Sequence, residues 1–199
     1  MPKIIDREST RDAIADAFVR AVAARGVASV TMREIAREAG ISQTLPLYYF
    51  DSRDALVEFA FERQTQLSIE GLFEVTRSKA SIKDRIRATV NWLVERATTD
   101  QSKWRTIIAM IVENRDNSRI NDLDRECYNK YLDELEHLFS LYGLEAGVEL
   151  KPRAEALMLV ASTDGLALAT ASLGSSVKTM VPPLVELLLS RFGLSPDRT

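Results

Sequence analysis

The chain has 199 residues, a net charge of −3, 46% hydrophobic and 28% charged residues; this allows one or two domains and excludes both a disordered chain and a polycation. Its one cysteine, Cys127, excludes a disulfide scaffold and fits a reducing compartment, so a cytoplasmic location is expected. The opening MPKIIDREST lacks the apolar run of a signal peptide, and the most apolar stretch, 156–173, carries Ser162, Thr163, Asp164 and Gly165, so it reads as a buried helix and no membrane partner is expected.

The first expected helix covers residues 10–25, where Ile14, Ala17, Phe18, Ala21 and Val22 form one apolar stripe. Gly26 follows where a left-handed cap is wanted. Thr31 and Glu34 have capping-box spacing and start a short second helix with Met32, Ile35, Ala36 and Ala39 inward. Gly40 ends it, and Ser42 is expected to cap a third short helix reaching Tyr49 or Phe50. Asp51 and Ser52 open a long periodic segment to about residue 79. Ser81 with Asp84 starts the next helix, with the stripe Ile82, Ile86, Val90, Leu93 and Ala97. Helices over 102–114, with Trp104, Ile107, Ile108 and Ile111 inward, and over 118–142, closed by Gly143, come next. Pro152 suits the first turn of a helix to residue 173, residues 174–176 read as a linker, and Pro182 and Pro183 begin a last helix ending at Gly193. No strand-like alternation of useful length occurs. The expected fold is all-α: three short helices, then about six longer ones.

Residues 31–50 have the anatomy of a helix-turn-helix: a capped short helix, a glycine that lets the chain turn steeply, and a second short helix of a size the DNA major groove admits. Eight basic and eight acidic residues cancel over the first 55 positions. A DNA-binding face there requires charge to be sorted, not in excess. Gln43 can make two hydrogen bonds to an adenine edge, and the Thr44 methyl can pack on thymine. Tyr48 suits a phosphate grip, Phe50 a hydrophobic plug, and Tyr49 either.

The stretch from Thr31 through Ser42, then Tyr48-Tyr49-Phe50, then Ser52-Arg53-Asp54-Ala55-Leu56, resembles the signature of the tetracycline-repressor (TetR) family. The resemblance covers about residues 10–58; beyond it, helix number and length agree. Asp164-Gly165-Leu166 resembles the C-terminal domain of the betaine-pathway regulator subgroup. The resemblance implies a DNA-binding domain over 8–58, its helix-turn-helix at 31–50, and a ligand-binding and dimerisation domain over 59–199. It implies phosphate contacts from Arg7 and Arg11, backbone contacts from Thr31 and Arg33, base-edge contacts from Gln43, Thr44 and Leu45, and phosphate anchoring by Tyr48 and Arg53. Two positions depart from the family pattern. Leu47 stands where a tyrosine is common. Pro46 would fall at the first intrahelical bond behind a Ser42 cap, which it cannot make, so the recognition helix is expected to start late or distorted.

His137, the only histidine, stands in a Glu-x-x-His step with Glu134, but a di-iron site needs that step on two helices, so neither metal nor cofactor is expected. The lone histidine also leaves no catalytic set, and Cys127 reads as a small core residue. Trp92, Trp104, Met110, Glu113, Asn114, Tyr128, Tyr131 and Asp164 are candidates to line an effector pocket, with plain packing the alternative for each. Leu166, Val181, Leu184, Val185, Leu188 and Phe192 are expected at a two-fold interface, which would set two recognition helices one DNA turn apart. The expected function is a homodimeric repressor that binds a palindromic operator and is released by a small molecule. The alternative is a helical ligand-binding or adaptor protein that does not engage DNA.

Overall fold

The computed structural model describes residues 7–99 and 101–195. Among them the order is α1 (Arg7–Arg25), a 3₁₀ turn (Val27–Ser29), α2 (Met32–Ala39), α3 (Leu45–Tyr49), α4 (Arg53–Thr76), α5 (Ile82–Thr99), α6 (Gln101–Glu113), α7 (Ser118–Ala146), α8 (Pro152–Leu173), a 3₁₀ segment (Gly174–Thr179) and α9 (Val181–Ser190), with no strand. The all-α expectation holds. Two compact units emerge: one takes residues up to Leu67 together with Ser102–Glu126, the other Ser68–Gln101 and the chain from Cys127 onward.

In the first unit the α1 stripe is buried as its spacing requires, and Ile35, Phe50, Leu56, Val57, Ala60, Phe61, Met110, Ile120 and Leu123 complete the core. Arg63 of α4 reaches Asp12 and Asp16, one turn apart on α1, at 2.7 and 3.2 Å. Asp12 and Asp16 are thereby neutralised on the inner side of α1. On α6 the buried positions are Thr106 and Met110, while Trp104, Ile107 and Ile111 are half-buried and Ile108 is exposed. The expected stripe is therefore rotated, because the helix packs on its Thr106–Met110 edge.

In the second unit the α5 stripe is buried as expected, joined by Thr89 and Val94, and α5 packs on α8 and α9. Phe192, just past α9, stacks between Phe139 and Tyr142 of α7 at 4.6 and 5.9 Å. Two ion pairs tie this unit: Glu155–Arg191 at 2.7 Å and Glu134–Arg77 at 2.5 Å. α8 forms, with the 3₁₀ segment after it, a stretch long and apolar enough to cross a membrane by length and composition. One of its faces, from Glu155 and Ala156 to Leu166 and Ala167, is buried within its own unit.

Three boundaries differ from the sequence reading. α7 runs past Gly143 and stops at Gly147, whose φ of 65° only glycine tolerates easily. Gly26 has positive φ, but its ψ of 156° makes it an extended lead-in to the 3₁₀ turn rather than a left-handed cap. Residues 174–176 are the start of a 3₁₀ segment, not a free linker.

Candidate functional site

Thr31 and Glu34 form the capping box their spacing calls for. The Glu34 N–H donates to Thr31 Oγ1 at 3.3 Å, and Glu34 Oε2 accepts from the Thr31 N–H at 2.9 Å. These bonds hold the Glu34 carboxyl below the usual carboxylate range, first through the Thr31 backbone and hydroxyl, then through Arg25, 2.6 Å away. α2 then ends at Gly40 in the left-handed region, φ 68° and ψ 30°, which frees the chain to turn.

After that turn Ser42, Gln43 and Thr44 are all exposed, and the late start expected from Pro46 is present: α3 begins at Leu45. Ser42 is not its cap. Thr44 occupies the N-cap position without a side-chain capping bond, its hydroxyl lying 3.4 Å from that of Ser42, and Pro46 falls in the first turn, where a missing N–H costs nothing. Pro46 and Phe50 point inward and are buried, while Leu47 and Tyr48 are 58% and 72% exposed on the other side of the same short helix. Leu45 and Tyr49 are half-buried, and the Tyr48 and Tyr49 rings meet edge to face at 5.3 Å.

The charge on this unit is sorted by pairing. Arg63 takes Asp12 and Asp16, Arg25 takes Glu34, and Arg20 takes Glu38 at 3.2 Å. Arg33 and Arg37, one turn apart on α2, have no ion pair among the described residues and line, with Glu34 (held by Arg25), Ile41 and Gln43, a surface cleft of about 460 Å³. Arg37 was not among the residues singled out from the sequence; its i, i+4 spacing from Arg33 was the available signal.

Two expected phosphate contacts are corrected. The Arg11 guanidinium lies over the Phe59 and Phe50 rings at 4.3 and 5.2 Å, with its Nε buried. Arg53 donates from Nε to the Val30 carbonyl at 3.2 Å and from Nη2 to the Val27 carbonyl, so it clamps the 3₁₀ turn to α4. Both arginines find acceptors or aromatic faces inside the unit, which a linear reading cannot see. Arg7 remains exposed at the start of α1.

The eight candidate pocket residues divide. Trp104, Met110, Glu113 and Asn114 belong to the first unit. There Met110 is fully buried core, Glu113 is exposed, and Asn114 caps α6 by donating to the Met110 carbonyl at 2.8 Å. The second unit holds the others in two polar contacts: Tyr128 Oη donates to Asp164 at 3.3 Å, and Tyr131 Oη donates to the Ser68 carbonyl at 3.0 Å. Arg96, which the sequence reading passed over, donates to Tyr131 Oη and has the Trp92 ring 5.5 Å away. Elsewhere in this unit a cavity of about 440 Å³ is lined by Thr98, Thr99, Thr170, Ser175, Val177, Lys178 and Val181. Among the described residues no three of His, Cys, Asp and Glu group as a metal site; His137 is exposed and Glu134 is engaged by Arg77 and Thr76.

The expected interface residues need correction too. Leu166, Val185, Leu188 and Phe192 are buried within the second unit, and Val181 and Leu184 are half-buried. Exposed apolar positions in this unit include Leu157, Ala161 and Leu168 along one face of α8 and Leu187 on α9, besides Leu144, Leu173 and Met180. The stripe of α9 that looked spare in sequence is used against α5 of its own chain, and Phe192 just beyond it against α7.

Residues 14–59 match the model of bacterial regulatory proteins of the tetR family, and residues 82–180 that of the C-terminal part of BetI-type transcriptional repressors. The HTH-type regulator PksA of Bacillus subtilis is 42% identical over 62 residues, 31% of this chain and 30% of that protein. The regulator BetI of Rhizobium meliloti is 42% identical over 57 residues, 29% of this chain and 28% of that protein. The chain thus covers less than a third of the length of these relatives. A TetR transcription regulator from Haloarcula marismortui shares the fold at TM-score 0.80 and 16% identity, over 94% of this chain and 98% of that one. A transcriptional regulator from Saccharomonospora viridis, solved with choline, does so at 0.75 and 20%, over 94% of each. A helix-turn-helix of this geometry, matched through its whole length and followed by a matched C-terminal part, places the chain in the tetR family of bacterial regulatory proteins.

Proposed function

We propose that this protein is a cytoplasmic transcriptional repressor that binds a palindromic operator as a homodimer, is released by a small-molecule effector, and catalyses no reaction. In this reading residues 8–58 grip DNA, and residues 59–199 sense the effector and dimerise. The observation that carries it is the exposed Gln43–Thr44 edge beside two arginines, Arg33 and Arg37, that form no ion pair among the described residues. Gln43, Thr44 and Leu45 read bases, Tyr48 and Arg7 hold phosphates, and the two arginines supply the salt-dependent part of binding. Dimerisation uses the exposed face of α8 with Leu187. The choline bound to the Saccharomonospora protein supports a small organic effector.

A salt titration of binding to the DNA upstream of the protein's own gene tests this. Wild type is expected to show a steep negative log–log slope, and Arg37→Ala to flatten it by about one unit. Absence of saturable DNA binding, or a slope that Arg37→Ala does not change, would leave the adaptor reading in its place.

A further inference from the structure

We propose that Leu47 is a specificity-determining residue of the helix-turn-helix and that it packs on the C5-methyl group of a thymine in the operator; the inference rests on the DNA-binding reading above. Leu47 is 58% exposed on α3. The register of that helix sets where it points. Pro46 and Phe50, four residues apart, are both buried and mark the inner side. At about 100° per residue, Leu47 leaves the core on one flank, and Leu45 and Tyr49 leave it on the other. The second flank is partly covered: Leu45 and Tyr49 are half-buried, and Tyr49 packs against the core of the unit. The Leu47 flank is open.

The polar edge continues into this flank. The Leu45 N–H donates to the Ser42 carbonyl at 3.1 Å, and the Tyr48 N–H donates to the Thr44 carbonyl at 3.2 Å. Thr44 already has helical backbone angles, φ −87° and ψ −19°, so the turn runs into α3 without a break. Thr44 therefore stands one turn before Leu47, and Gln43 is next to it; both are exposed. Gln43 also lines the cleft that holds Arg33 and Arg37. Leu47 is thus an aliphatic side chain on the edge that polar and basic residues present to DNA.

Chemistry selects its partner there. An isobutyl group has no hydrogen bond to give a phosphate or a base edge. Set against a phosphate, it displaces water from a charge and returns nothing. The floor of the major groove offers hydrogen-bonding atoms at every base and one apolar group, the thymine methyl. Leucine and methyl both gain by leaving water. Gln43 and Leu47 together then favour A·T pairs, one through the adenine edge and the other through the methyl.

The test compares two copies of the DNA upstream of the protein's own gene, one amplified with thymidine triphosphate and the other with deoxyuridine triphosphate. The copies share their sequence and hydrogen-bonding atoms and differ in the thymine methyl. Binding of the full chain is read by fluorescence anisotropy for wild type, Leu47→Ala and Thr44→Ser. Wild type is expected to prefer the thymine copy by about 4-fold for each methyl covered, as burial of one such group gives. Leu47→Ala is expected to lose most of that preference while keeping the wild-type salt slope, since no phosphate contact is removed. Thr44→Ser, which removes the other methyl on this edge, is expected to keep most of it. Circular dichroism melts establish that each variant folds. Leu47→Asn, of the same branching but polar, decides the matter if Leu47→Ala binds neither copy. A wild type that binds both copies alike, or a preference that survives in the Leu47 variants, overturns the proposal and leaves the DNA reading standing. A wild type that binds neither copy saturably removes the DNA reading and this inference with it.

Discussion

Charging Leu168 and Leu187 together should take the proposed dimer apart without unfolding the protomer. The two side chains are 60% and 63% exposed, so most of their apolar area remains to be covered. Complete burial of a leucine is worth about 1.5–3 kcal/mol, so an interface would recover about 1–2 kcal/mol from each. Two leucines on each of two protomers give about 4–7 kcal/mol, or roughly 10³–10⁵ in the dimerisation constant at about 1.4 kcal/mol per tenfold. Glutamates at these positions remove that gain and add like charges across the two-fold axis. In sedimentation velocity, Leu168→Glu/Leu187→Glu is expected to run as a monomer at concentrations where wild type is a dimer, with an unchanged helical spectrum and loss of tight operator binding. The neighbouring Leu188→Glu is the contrast. Leu188 is 4% exposed inside its own unit, so a charge there should destroy the fold. A double variant that still sediments as the wild-type dimer would refute the reasoning. So would a Leu188→Glu protein that keeps its melt and merely dissociates, since that would return the interface to the buried stripe.

Glu134 is buried against Thr76 and the exposed Arg77, and Glu134→Gln should cost about 1–2 kcal/mol in urea unfolding, a range reduced for the solvent around Arg77. Burial pushes its carboxyl up, but the Arg77 and Thr76 hydrogen bonds outweigh this and hold it below the ordinary value. Its contribution is therefore present above about pH 4.3 and fades as pH falls through the depressed native value, so wild type and Glu134→Gln should converge in acid. Gly71→Ala should gain about 0.5–1 kcal/mol of helix propensity yet lose more by pushing Trp92, for a net destabilisation of about 1–2 kcal/mol and a changed tryptophan emission; an unshifted spectrum with raised stability would mean that Trp92 yields freely.

Sequence by itself determined the helices and the head of the molecule. The α1 stripe, the Thr31–Glu34 box, Gly40 and the Pro46 delay are local rules, satisfied within a few residues, and each was legible from spacing alone. The polar edge at Ser42–Thr44 followed because Pro46 and Phe50, with Tyr49 in part, turn the apolar side of that short segment inward. What the tertiary structure decided was which chemically capable side chains are free. Arg11 and Arg53 carry the charge a phosphate wants, yet one lies on two phenylalanine rings and the other clamps two carbonyls. Arg37 looked ordinary and has no ion pair among the described residues, while Arg20 and Arg25 take Glu38 and Glu34. Val185 and Leu188 looked spare on a helix wheel and are buried in a helix that packs on α5, leaving the covered face of α8 and the open one to be told apart only by packing. Periodicity reports that a side chain is apolar or charged at a given angle, whereas its availability depends on partners far away in the chain, and those are set only when the helices meet.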